Sequence, residues 1–172
     1  MSKENILSKI NKMSKKELLC LARNTSDVEI LNILAVNANY EVRWAIVKNR
    51  STSADVLAVL AIVKLASDEE YHVRAYVALN EKTPINTLAI LAKDVDIDVR
   101  NAVAENRNTS ADTLAVLAKD EDSDVRCAVV ENKNTSVETL VMLAKDKELC
   151  VSENAKKVFK ERKEKNKTSM ER

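Results

Sequence analysis

The stretch Thr109–Lys133, TSADTLAVLAKDEDSDVRCAVVENK, restates the stretch Thr83–Arg107, TPINTLAILAKDVDIDVRNAVAENR. A third copy opens at Thr135, a diverged one at Thr52 and a further relative at Ser26. The openings lie 26, 31, 26 and 26 residues apart, so the second copy carries a five-residue insertion between Ile62 and Ser67. Repetition at such a period marks a repeat architecture, in which units stack because none can bury its apolar face alone.

Each column of the repeat has a physical role. Ser26, Thr52, Thr83, Thr109 and Thr135 are followed three residues later by Glu29, Asp55, Asn86, Asp112 and Glu138. A hydroxyl followed by such a residue resembles a capping box, so this column is expected to open a helix, helix A. Pro84, directly after Thr83, suits the first helical position. Behind it stand Leu31/Leu34/Ala35, Leu57/Leu60/Ala61, Leu88/Leu91/Ala92, Leu114/Leu117/Ala118 and Leu140/Leu143/Ala144, an i, i+3, i+4 stripe of one helix face. An acidic loop and a second stripe such as Val125, Ala128 and Val129 give a short helix B, α or partly 3₁₀. Asn49, Asn80, Asn106 and Asn132 end it, and asparagine tolerates the left-handed conformation common at helix ends.

The expected fold is therefore an all-α solenoid of about five 26-residue helix-pair repeats in a single domain, 1–172. Residues 1–25 form an N-terminal cap, with a helix at Ser14–Ala22 opened by the box Ser14/Glu17. The repeats occupy 26–158. In the last copy Ser152 replaces the arginine and Val158 the asparagine, which marks a C-terminal cap. Residues 159–172 form a basic tail. Composition agrees, since the chain has no Gly and one Pro, too few for the turns of a sheet protein.

The repeat unit, T/S-x-x-acid-x-L-x-x-L-A-x-D…V-R-x-A-V-x-x-N, resembles the leucine-rich repeat variant family and, more loosely, HEAT repeats. The resemblance covers Ser26 to Val158. It implies a right-handed superhelix of alternating α and 3₁₀ helices. One type of family member carries an N-terminal iron–sulfur domain with clustered cysteines. This chain offers only Cys20 there, so that cofactor is not expected.

The function classes narrow quickly. Lys and Arg number 28 against 27 Asp and Glu, and aromatic residues are 3% of the chain. No apolar run has the length of a membrane span, and the N-terminus lacks that of a signal peptide. Cys20, Cys127 and Cys150 are unpatterned, which reads as reduced thiols in a cytoplasmic protein. His72 is the single histidine and glycine is absent, so no catalytic triad, His-rich metal set, P-loop or dinucleotide fingerprint is offered. Catalytic residues, metal ligands and cofactors are all expected to be none.

What remains is a surface. Arg43, Arg74, Arg100 and Arg126 recur, with Asn37, Asp68, Asp94 and Asp120 six residues before them. Two columns in register favour an internal Arg–Asp ladder over a row of cations for an anionic partner. Trp44 stands in a variable column with Ala75, Asn101, Cys127 and Glu153. Tyr40 and Tyr71 stand in another with Ile97, Ser123 and Leu149. Trp44 with Tyr40, Tyr71 and Arg43 has the composition of a binding hot spot, and the expected function is a non-enzymatic protein–protein interaction scaffold. The alternative is nucleic-acid binding along the inter-repeat edge through Arg50, Lys82, Arg107 and Lys133.

Overall fold

Periodicity of 3.6 along the chain becomes helix after helix. The computed structural model describes residues 3–49 and 64–170, and all regular structure among them is helical. Helices α1 (Lys3–Ile10) and α2 (Lys15–Asn24) precede the repeats. The first repeat supplies α3 (Val28–Leu34) and α4 (Tyr40–Val47), and the second its B helix, α5 (Tyr71–Leu79). The third gives α6 (Ile85–Leu91) and α7 (Ile97–Glu105), and the fourth α8 (Ala111–Leu117) and α9 (Ser123–Glu131). The fifth gives α10 (Val137–Leu143) and α11 (Leu149–Met170). The sequence expectations for Arg50, Thr52, Asp55, Leu57, Leu60 and Ala61 lie outside the described residues, and the insertion is described only from Lys64 onward.

The B helices form one row, α2–α4–α5–α7–α9–α11, each packed on the next. Each described A helix packs on the B helix that follows it. Both A-stripe leucines of every described A helix, from Leu31 and Leu34 to Leu140 and Leu143, are at most 2% exposed. They meet Val42, Val73, Val77, Val99, Val103, Val125, Val129 and Val151 in a continuous core. Burying one such side chain is worth roughly 1.5–3 kcal/mol. A pair of leucines per unit is too little alone, and stacking supplies the rest.

The ends also follow from packing. Helix α1 buries Ile6 and Ile10 and lies against α3, while α2 lies against α3 and α4, so the N-terminal cap is a helix pair. Ser14 and Glu17 form a full capping box, with Glu17 accepting from Ser14 N–H at 2.7 Å. At the other end α11 runs without a break through residue 158, so the last repeat and the tail are one helix.

Two local expectations need correction. The N-caps of the described A helices are Asp27, Pro84, Ser110 and Ser136, one residue after the Ser/Thr column. Thr109 Oγ1 instead donates to Val103 O at 2.6 Å, and Thr83 and Thr135 do the same to Val77 and Val129. Thr83, Thr109 and Thr135 are buried, and each hydroxyl gives a second, shorter bond to a carbonyl that also accepts the N–H of the asparagine closing the preceding B helix. Asn80, Asn106 and Asn132 have φ of −70°, −66° and −68°, so they are extended rather than left-handed. Of the expected α or partly 3₁₀ helices, those of the repeats among the described residues are α, and i→i−3 bonds appear where an A helix ends, as in Lys119 N–H to Val116 O.

Candidate protein-interaction surface

The arginine column is internal. Arg100 Nε and Nη2 donate to Asp120 Oδ2 and Oδ1 at 2.7 and 3.0 Å, from one repeat to the next. Arg43 pairs in the same forked way with Asp68, Arg74 with Asp94 and Arg126 with Asp146. Each Nη1 also donates to the carbonyl six residues earlier: Asn37, Asp68, Asp94 and Asp120. The guanidinium thus closes a loop in its own repeat and fastens the following one, which its planar fork of donors permits. Burial raises the pKa values of Asp94 and Asp120. The bonds from arginine and from the N–H two residues on outweigh it, holding both carboxyls below the usual range. For Asp146 the bond from Arg126 dominates, again downward. Asp146 was not among the ladder residues read from the sequence.

Arg43 therefore leaves the hot-spot set. It is 6% exposed and its donors are occupied by Asp68, Glu69 and two backbone carbonyls, so no group remains for a partner.

The asparagine column is a second ladder. Asn132 Nδ2 donates to Ala104 O and Asn106 O, and Asn106 Nδ2 to Ala78 O and Asn80 O. Asn80 reaches Val47 O and Asn49 reaches Ala22 O and Thr25 O. An amide with two donors can bridge two carbonyls of the preceding repeat, which neither Asp nor Leu could do.

The acidic loops have a local cause as well. Asp120 accepts from Asp122 N–H at 3.0 Å, and Asp122 caps α9 by accepting from Asp124 N–H at 2.7 Å. Asp94, Asp96 and Asp98 repeat the pattern before α7. The alternating aspartates are overlapping turn and cap acceptors. On the inter-repeat edge, Lys82, Arg107 and Lys133 are exposed, but so are Glu81, Glu105 and Glu131 close beside them in sequence. The cationic row is accompanied by an anionic one. Arg50 lies outside the described residues.

The variable columns project from the B row. Trp44 is half-buried and meets Tyr76 of the next B helix edge to face, with centroids 5.2 Å apart and planes at 80°. Lys48 Nζ lies 4.0 Å from the Trp44 centroid and 4.8 Å from that of Tyr76. This is favourable geometry for an ammonium over two π faces. Tyr40 lies one turn before Trp44 on α4 and is 43% exposed. Tyr71 is half-buried and packs on His72 with centroids 3.9 Å apart. Beside the cluster, Lys48, Tyr76, Leu79 and Lys82 line an open cleft. Tyr76 and Lys48 were missed from the sequence. A signal existed, since Tyr76 occupies a column that holds Ala45, Ala102 and Ala128 in other repeats.

Among the described residues no group of three His, Cys, Asp or Glu is placed to hold a metal ion. None of the described helices is long and apolar enough to cross a membrane. No family model matches the chain, and no curated protein matches it. Among solved structures, it is similar to one described as a leucine-rich repeat variant with a novel repetitive protein structural motif. The identity is 23%, the match covers 92% of this chain and 72% of that one, and the TM-score is 0.43.

Proposed function

We propose that the chain is a non-enzymatic scaffold that binds another protein through the B-row surface around Trp44, and that it works in the cytoplasm with its three thiols reduced. The observation that carries the reading is the aromatic–cation cluster of Trp44, Tyr76 and Lys48, assembled across two repeats. The other copies stack with small or polar residues at the Trp44 and Tyr76 columns, so large aromatics here are not required by the fold. Tyr40 and Tyr71 flank the cluster and complete the contact region. A tryptophan pre-positioned by its neighbours loses little entropy on binding and presents a large amphipathic face, the usual make-up of an interface anchor.

The test is affinity capture with wild type and Trp44→Ala, followed by titration of the recovered protein. Truncating an anchor costs about 2 kcal/mol or more, roughly a thirtyfold loss of affinity. A partner held equally by both proteins would remove this surface from the reading. The nucleic-acid alternative predicts salt-sensitive binding of labelled DNA or RNA that is lost on changing Lys82, Arg107 and Lys133 to Glu. The glutamates along the same edge stand against it.

A further inference from the structure

Two cysteines depart from their columns at the same interface. Cys127 stands where the other repeats carry Trp44, Ala75, Asn101 and Glu153. Cys150 stands where they carry Glu41, His72, Asp98 and Asp124. Helices α9 and α11 are neighbours in the B row, and there the two sulfurs lie 3.9 Å apart. Cys150 is exposed and Cys127 half-buried. Cys20, on α2, belongs to the other end of the row.

We propose that Cys127 and Cys150 are an oxidative modification site: a dithiol that closes to a disulfide across the last two B helices when it meets a peroxide. Cys150 is the sulfur a small oxidant reaches. Its thiolate attacks one oxygen of hydrogen peroxide, the O–O bond breaks, and Cys150 sulfenic acid forms with release of hydroxide, which is protonated to water. The Cys127 sulfur then attacks the Cys150 sulfur. The S–O bond breaks, the Cys127 proton leaves with the departing oxygen as a second water, and the S–S bond is made. In sum two thiols lose two electrons and two protons, and one peroxide becomes two waters. Burial and the hydrogen bond to Cys150 push the Cys127 thiol up to about 11, so Cys127 stays protonated while Cys150 meets the oxidant. With the sulfurs already 3.9 Å apart on packed helices, closing the bond needs only a small approach.

The experiment uses the full chain, reduced and then exposed to a slight excess of hydrogen peroxide. Titratable thiols should fall from three to one, and the intact mass should drop by about 2 Da. A proteolytic map should join the Cys127 and Cys150 peptides. Cys20→Ser should still lose two thiols, while Cys150→Ser should form no intramolecular link. Oxygen adducts on three independent sulfurs, without the 2 Da loss, would overturn the proposal. So would a link that involves Cys20.

Discussion

The loop before α9 contains two aspartates with similar sequence surroundings and different physical roles. Asp120 answers a guanidinium in a pair whose side chains are 12% and 7% exposed. Asp122 only caps a helix, and asparagine caps nearly as well. Asp120→Asn should therefore cost about 3 kcal/mol, because it leaves the Arg100 charge inadequately answered, while Asp122→Asn should cost under about 0.5 kcal/mol. Urea denaturation of the two variants checks this, and equal losses would contradict the assignment. The same carboxyls predict acid behaviour. Asp94, Asp120 and Asp146 have native pKa values below their unfolded value of about 3.9. The stability they contribute is present above that value and is lost as pH falls through the lower native values. Their contribution should be level from neutrality to about pH 5 and fall steeply below about pH 4. Asp120→Asn should make that fall shallower, as read from urea midpoints against pH.

At the level of the helix, adjacent hydroxyls divide two tasks. Ser110 caps α8, accepting from Thr113 N–H at 3.2 Å, while Thr109 bonds backward to the end of α7. Ser110→Ala should cost about 1 kcal/mol. Thr109→Val keeps the shape and leaves the buried Val103 carbonyl only its longer bond from Asn106 N–H, so it should cost about 1 kcal/mol, while Thr109→Ser should recover part of the loss. Chemical denaturation of the three variants separates the roles; a silent Ser110→Ala would restore Thr109 as the cap. This pair shows what was legible. The leucine stripe, the period and the Arg and Asp columns depend on side-chain type and spacing, which a sequence displays. The cap did not, because Thr109 and Ser110 both offer a hydroxyl near an acid and only backbone direction chooses between them. The candidate surface divides the same way. Trp44 stood out as a singular residue in a variable column, but Tyr76 becomes its neighbour only once the repeats stack. Arg43 stood in both the ladder and the hot-spot set, with the register favouring the ladder, and its burial takes it out of the second.

Across the whole molecule, the ladders must stop somewhere, and an unfinished rung is an open edge. Asn37 heads the carboxylate column as a neutral residue that still makes its turn bond with Asn39 N–H. At the far end Asp146 accepts the last arginine, and Ser152 and Val158 replace the residues that would begin another rung. The carbonyl of Asn132 would then await an asparagine that never comes. Arg162 of α11 takes its place, donating from Nη2 to Asn132 O at 2.8 Å and from Nη1 to Thr135 O at 2.6 Å. The continuation of α11 beyond residue 158 is thus a lid on the asparagine ladder as well as a tail. Because each unit touches mainly its neighbours, loss of this lid should act locally. Arg162→Ala removes two charged donors, although Asn132 O keeps its bond from Thr135 N–H; at a cost of about 1–3 kcal/mol, amide exchange in α10 and the first turns of α11 should quicken by about tenfold or more. Exchange in α7, two repeats inward, should stay near the wild-type rate. Uniform acceleration along the row would show that the stack opens as one cooperative unit, and that its ends do not govern their own stability.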